Sequence, residues 1–261
     1  MEEEYELDVE RLAKITAYHE AAHFVLQLLM NKFDSSFEKP SEATIKVIIG
    51  EPYGGQIISP LPGVLHKELA NDETQRVRQT FGSCFVLLSG YYSYNVFYDG
   101  NGSSIMETVS PEDREKNILA KDFEMKFFTL NDKLDDILYH PFYGENHDFR
   151  KTIDLLRKLW ECRENNNLND LSEHAIVLFL LNELQKLMEG EAVKDSIELV
   201  KNELLKNNGK VIEGKDLNDL IANAEGLIVN VDITEYLDAC EKAYQKDDWY
   251  VPLEFPSYLI D

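Results

Sequence analysis

Apolar residues recur at three- and four-residue spacing along several long stretches of the chain, which is typical of helices that pack on one face. In the first stretch, Leu12, Ile15, Leu26 and Leu29 follow this spacing without an intervening Gly or Pro. The second stretch starts after Pro62 and ends at Gly90. The pattern therefore predicts helices over 9–32, from after 62 to 90, and over 148–160, 171–188, 193–205 and 234–244.

Three short segments show a strand-like pattern instead. Residues 43–49 are rich in β-branched side chains, and 56–59 follow a turn-like stretch at 51–55, so a small hairpin is expected. Residues 227–231 predict one more short strand. No repeat or linker divides the chain, so we expect a single, mainly α domain over 1–261 with a small β-hairpin or sheet.

Two further segments are interpreted as structural or solvated. The aromatic run at 91–98 closes the second helix and fits the core better than a ligand-stacking surface. Residues 101–143 are charged and lack the alternating spacing and glycine of a calcium loop, which indicates a solvated insertion. An extended tail with Pro252 and Pro256 ends the chain.

The net charge of the chain limits the classes of partner that we expect. The sequence has 26 Lys and Arg against 49 Asp and Glu, a formal net charge of -23. Such a surface repels nucleic-acid phosphates and anionic lipid headgroups, so we expect neither nucleic acid nor membrane as a partner, whereas divalent cations are favoured.

The cysteines and the N-terminal segment indicate in which cellular compartment we expect the protein. The three cysteines lie far apart, without paired metal spacing, and are interpreted as reduced and mostly buried. The acidic N-terminus lacks a secretory pattern, and no apolar run reaches the roughly 20 residues that span a bilayer. We therefore expect a cytoplasmic protein.

A His-Glu-x-x-His motif lies inside the first predicted helix, in the segment TAYHEAAHFVLQLL. On a helix, His19 and His23 share one face and can bind one ion, and imidazole suits zinc. Glu20 lies where a carboxylate can take a proton from a zinc-activated water. The alternative is a pair of core histidines that donate hydrogen bonds to carbonyls.

This motif and three later segments resemble the FtsH-type ATP-dependent zinc metallopeptidases. The run from Ile15 to His23 is similar to the zinc-binding helix of that family, with Ala22 in place of the usual glycine. The segment GGQIISPLP is similar to a strand of the family and the Leu-Pro turn that follows it. The segment Leu88-Ser-Gly-Tyr is similar to the end of a Gly-rich helix in the family. The segment GENHDFRKTIDLLRKLW resembles the helix start in which an aspartate is the third zinc ligand.

The resemblance implies a helical zincin-like metallopeptidase domain. It implies a metal-binding core over 9–165, with the insertion at 101–143, and a helical C-terminal part over 166–261. It further implies a site in which Zn²⁺ is held by His19, His23 and Asp148 and Glu20 is the catalytic base.

The chain also departs from the family. Asp148 opens a helical pattern and can equally serve there as a helix-capping residue. His147 replaces the usual asparagine of the family, so a ligand at that position stays open. No nucleotide-binding loop of Gly-x-x-x-x-Gly-Lys type is found, so only the peptidase domain of the family is expected.

The sequence thus predicts a zinc-dependent endopeptidase that hydrolyses peptides or unfolded protein substrates, which a separate ATPase or adaptor can supply. Two alternatives stay open: a non-catalytic, peptidase-like zinc-binding adaptor or protein-interaction module, and a metal-free helical interaction protein. The histidines outside the motif, His66, His140 and His174, are interpreted as surface or capping residues.

Overall fold

The structure is a computed structural model that describes residues 9–46, 54–58, 72–96, 148–162 and 170–249. In these ranges it is mainly helical with one small antiparallel sheet, as predicted. The elements in chain order are α1 (Val9–Phe33), β1 (Glu42–Lys46), β2 (Gly54–Ile58), α2 (Glu73–Val96), α3 (Asp148–Glu161), α4 (Asp170–Met188), α5 (Glu191–Lys206), β3 (Val211–Ile212), α6 (Gly214–Leu227) and α7 (Thr234–Lys246).

Helix α1 lies at the centre of the fold. It packs against α2 and α5 and also contacts both strands of the hairpin. Because neighbours surround it, the seven residues from Phe24 to Met30 are all buried, including the polar Gln27. A helix buried on all sides is a rigid support for the side chains that it carries.

The sheet has the strand order β2-β1-β3, and both pairings are antiparallel. The predicted hairpin is confirmed, with Ala43 opposite Ile57 and Ile45 opposite Gly55. The two-residue strand β3 was not predicted, and its Ile212 lies opposite Ala43 on the other side of β1. Within the described residues, β2 is therefore an edge strand.

An aromatic cluster fixes α3 against the rest of the fold. The ring of Trp160 in α3 lies 5.0 Å from that of Tyr244 and 5.7 Å from that of Trp249, measured between centroids. Phe81 of α2 contacts the rings of Tyr244 and Trp249. Because α3 is anchored in this way, its first residue, Asp148, is held in place beside α1 and α2.

The predicted strand at 227–231 is wrong. Leu227 ends α6, and the next three residues form a turn. The ammonium of Lys32 in α1 donates to the carbonyls of residues 228, 229 and 231 at 3.4, 2.6 and 2.8 Å. Since a lysine satisfies these carbonyls, the apolar turn needs no partner strand.

Two helix predictions also need correction. Helix α2 continues past Gly90 to Val96, so the aromatic run does not close it at that point. Helix α6 was missed, although Leu217, Leu220 and Ile221 lie buried at helical spacing.

The expectation of buried cysteines is confirmed for Cys84 and Cys240, while Cys162 is half-buried; none of the three is in a disulfide.

Several predictions fall outside the described residues. These are the insertion at 101–143, the C-terminal tail, and His66, His140 and His147; the side chain of His174 is also not described. The organisation of 1–261 as one domain stays a prediction. Across the described ranges, no helix combines the length and the apolar character needed to cross a membrane.

Candidate metal centre

His19 and His23 lie one turn apart on α1, as the motif predicts. Their Nε2 atoms are 3.0 Å apart, and the two rings meet edge to face at an interplanar angle of 87°. Neither ring is fully exposed, because α2 lies against this face of α1. Two imidazole nitrogens therefore face one small volume between the helices.

Asp148 brings a carboxylate to the same volume from the first turn of α3. Its Oδ2 atom lies 3.2 Å from Nε2 of His23 and 3.4 Å from Nε2 of His19. Ligand atoms bonded tetrahedrally to one zinc at about 2.0–2.2 Å lie roughly 3.3–3.6 Å apart, close to these separations. The structure thus brings all three predicted ligands together in a group that could hold a metal ion.

The orientation of His23 is determined by α2. Its Nδ1 lies 2.6 Å from the carbonyl oxygen of Val86, which also accepts a hydrogen bond from the hydroxyl of Ser89 at 2.7 Å. A carbonyl only accepts, so Nδ1 of His23 carries the hydrogen. In the neutral ring, Nε2 then presents its lone pair to the other two ligands, as a metal-binding histidine requires.

Because Gly90 has no side chain, the space that the ligand atoms face stays open. A Cβ atom at this position would lie 2.4 Å from Nε2 of His23 and 2.7 Å from Cε1 of His19. Gly90 lies inside α2, where alanine is the better helix former by about 1 kcal/mol. The glycine therefore acts through close approach, and the volume that it leaves is beside the donor atoms.

The charges at the site also favour a cation. Burial by itself lowers the pKa of His23, but the neighbouring Asp148 carboxylate raises it to about 9. Burial would raise the pKa of Asp148, yet the charge and hydrogen bonds of the two histidines hold it far below its ordinary value. A proton in the metal-free protein, or a divalent ion in its place, relieves the repulsion between the clustered lone pairs.

Glu20 is buried beside the three ligands. Burial raises the pKa of its carboxyl, while the charges of His19 and His23 lower it. A Cβ atom on Gly55 would lie 2.3 Å from Cγ of Glu20 and 2.8 Å from Oε1, so the backbone of β2 presses directly on this side chain. The hairpin therefore confines Glu20 next to the ligands, where burial raises the pKa of its carboxyl.

Lys151 supplies a cation at the edge of the site. Its ammonium lies 3.3 Å from Oδ1 of Asp148, the oxygen that does not face the histidines. The two residues are three positions apart in the first turn of α3. The carboxylate is therefore shared, with one oxygen toward the histidines and the other toward Lys151.

Sequence reasoning missed four contributors to this site: the Val86 carbonyl, Gly55, Gly90 and Lys151. A glycine inside a helix is a usable signal of close approach, but the predicted helix ended at Gly90, and the structure shows that it continues to Val96. The spacing of Lys151 from a candidate ligand was a second signal. No sequence signal marks the Val86 carbonyl, since every residue has one.

Comparison with known proteins adds nothing to the assignment of the metal ligands, which rests on the geometry of the site. The chain matches no protein-family model, no curated protein and no solved structure. The resemblance to FtsH-type peptidases thus stays a prediction that rests on the motifs named above.

Proposed function

We propose that this protein is a zinc-dependent endopeptidase in which His19, His23 and Asp148 hold the ion and Glu20 is the general base. The observation that carries the proposal is the convergence of three zinc-type ligand atoms, from helices far apart in sequence, beside a buried glutamate. A catalytic zinc takes three protein ligands and keeps one position for water.

The bound zinc would supply Lewis acidity, which acidifies water and polarises the scissile carbonyl. Glu20 accepts the proton of the attacking water, because its carboxylate is buried beside the ligands. The same carboxyl then donates that proton to the leaving amine. The packing of Gly55 keeps Glu20 from turning away between the two steps.

Within the described part of the chain, strand β2 has a partner strand on one edge only, and we propose the other edge as the binding site of an extended substrate. It pairs with β1 along one edge, and its Gly55 lies against Glu20. A peptide that adds to the other edge would form backbone hydrogen bonds, which require an extended chain but little side-chain preference. We therefore propose peptides and unfolded protein segments as substrates, supplied where needed by a separate ATPase or adaptor.

Replacing Glu20 by Gln tests the proposal. The variant should keep stoichiometric zinc, because no ligand is lost, and should lose hydrolysis of an unstructured fluorogenic peptide library. Glu183→Gln is the matched control, since Glu183 is another glutamate that is 7% exposed, on α4 and outside the ligand group. Hydrolysis at the wild-type rate by Glu20→Gln would contradict the mechanism.

Metal content separates the alternatives. Elemental analysis should find about one zinc per chain in the wild type and a loss of zinc in His19→Ala and in Asp148→Ala. Zinc that binds without hydrolysis of the library would instead favour the non-catalytic adaptor. A wild type that takes up no zinc after reconstitution would leave a metal-free helical interaction protein.

A further inference from the structure

Asp148 differs from the two histidines in having two equivalent ligand atoms. A free carboxylate can bind an ion through one oxygen or through both, and it can rotate between these modes. In this structure, Oδ2 lies 3.2 Å from Nε2 of His23, while Oδ1 lies 3.3 Å from the ammonium of Lys151. The two oxygens therefore have separate partners.

The contact with Lys151 is built into the first turn of α3. The three-residue spacing places Lys151 on the same side of the helix as Asp148. The hydroxyl of Thr152 donates to the backbone carbonyl of Asp148 at 2.8 Å, which holds the aspartate within the turn. The side chain of Lys151 is 50% exposed, so its replacement leaves no cavity in the core.

We propose that Lys151 is a positioning residue of the metal site: by holding Oδ1 of Asp148, it restricts this ligand to one oxygen and keeps a coordination position open for water. The proposal rests on the metal site proposed above. Lys151 acts through Asp148. Outer contacts to metal ligands commonly change metal affinity by about 10–100-fold when removed.

A purely electrostatic role would have the opposite effect on affinity. An ammonium this close to a bound cation repels it, so removal of the charge alone would tighten metal binding. Removal of a positioning contact would weaken binding, because Asp148 is then free to rotate. The direction of the change in affinity thus distinguishes the two roles.

The experiment compares the wild type with Lys151→Met and Lys151→Arg. Affinity for Zn²⁺ is measured by competition with a chromophoric chelator, and visible spectra are recorded after loading with Co²⁺, which absorbs more strongly in tetrahedral than in higher coordination. Lys206→Met is the control, because Lys206 lies 3.3 Å from the carboxylate of Glu203 at the same three-residue spacing, on α5.

We expect Lys151→Met to bind zinc on the order of tenfold more weakly. Its Co²⁺ bands should weaken as Asp148 engages both oxygens. Lys151→Arg should restore affinity and spectrum, since guanidinium also donates to a carboxylate. Lys206→Met should match the wild type.

Two outcomes overturn the proposal. Equal or tighter zinc binding by Lys151→Met, with an unchanged Co²⁺ spectrum, rejects the positioning role while the metal site stands. A wild type that binds neither ion rejects the site itself and with it the proposed function. The first failure is seen in the variant and the second in the wild type, so they can be told apart.

Discussion

Replacing Gly90 by Ala should strongly weaken zinc binding without unfolding the protein. The new Cβ atom would lie 2.4 Å from Nε2 of His23, whereas real Cβ contacts essentially never fall below 3.0 Å. The ring must therefore retreat by at least 3.0 − 2.4 = 0.6 Å. Metal–ligand distances vary by only about 0.2 Å between good sites, so this displacement removes His23 as a ligand.

The structure also limits how His23 can respond. Its Nδ1 is held by the Val86 carbonyl at 2.6 Å, so a retreat of the ring breaks or lengthens this hydrogen bond, which contributes about 1 kcal/mol. If the ring did not retreat, the methyl group would lie 2.4 Å from Nε2, close to the distance of about 2.0–2.1 Å at which a bonded zinc must lie. We expect zinc affinity to fall at least about 100-fold, or ~2.7 kcal/mol.

The metal-free variant should remain folded. Alanine in place of a helix-interior glycine stabilises the helix by up to about 1 kcal/mol, which partly offsets the lost contact. Gly226→Ala is the matched control, because Gly226 lies within α6 and its added Cβ would meet no atom within 4 Å. Chelator competition measures zinc affinity, and circular dichroism measures the melting of each metal-free protein.

Wild-type zinc affinity in Gly90→Ala would contradict this prediction. It would mean that the ion does not lie in the volume that Gly90 leaves between the two histidines. A folded variant without zinc binding, beside a control that binds zinc normally, would support that location.

Contacts elsewhere in the fold can be tested by single substitutions. Gly55→Ala should keep zinc and lose most peptide hydrolysis, since its Cβ would displace Glu20, 2.8 Å away at Oε1; normal turnover would contradict the role of the hairpin. Glu198→Gln should reduce the free energy of unfolding by about 1 kcal/mol at pH 7, because the half-exposed carboxylate of Glu198 accepts from the Lys201 ammonium and from the Tyr18 hydroxyl, and glutamine loses the charge that strengthens both contacts. The pKa of Glu198 is lowered from 4.5 on folding, so the difference from the wild type should shrink as the pH falls below about 4.5, as urea titrations would show. Lys32→Met should destabilise by about 1–2 kcal/mol and speed amide exchange in the turn after α6, and unchanged exchange would remove the lysine as its anchor.

Sequence patterns predicted the elements whose stabilising contacts are local or strongly periodic. The first helix, the hairpin of β1 and β2 and the helices at α3, α4, α5 and α7 are confirmed because their apolar periodicity is long. Strand β3 has only two residues, and its pairing with Ala43 depends on chain packing that no local pattern encodes. The turn at 227–231 was misread because its carbonyls are satisfied by Lys32, which lies about 200 positions away in the chain.

The candidate site likewise has features that the sequence predicted and features that it did not. The pairing of His19 and His23 follows from helix geometry alone, and their Nε2 atoms are indeed 3.0 Å apart. Asp148 is separated from His23 by 125 positions, so no spacing rule reaches it, and only the resemblance singled it out. The close approaches at Gly55 and Gly90 appear only when three elements are packed together.

The separation of 125 positions between His23 and Asp148 makes the proposed ion a late-forming crosslink. In an unfolded chain Asp148 is not held beside the histidine pair, so the three-ligand site forms only when both α1 and α3 have docked on α2. Zinc would then bind folded molecules in preference to partly folded ones. At a free zinc concentration of 100 times Kd, this raises the free energy of unfolding by about 2.7 kcal/mol. Zinc supply would in this way change the stability of the fold, quite apart from whether the site turns over a substrate.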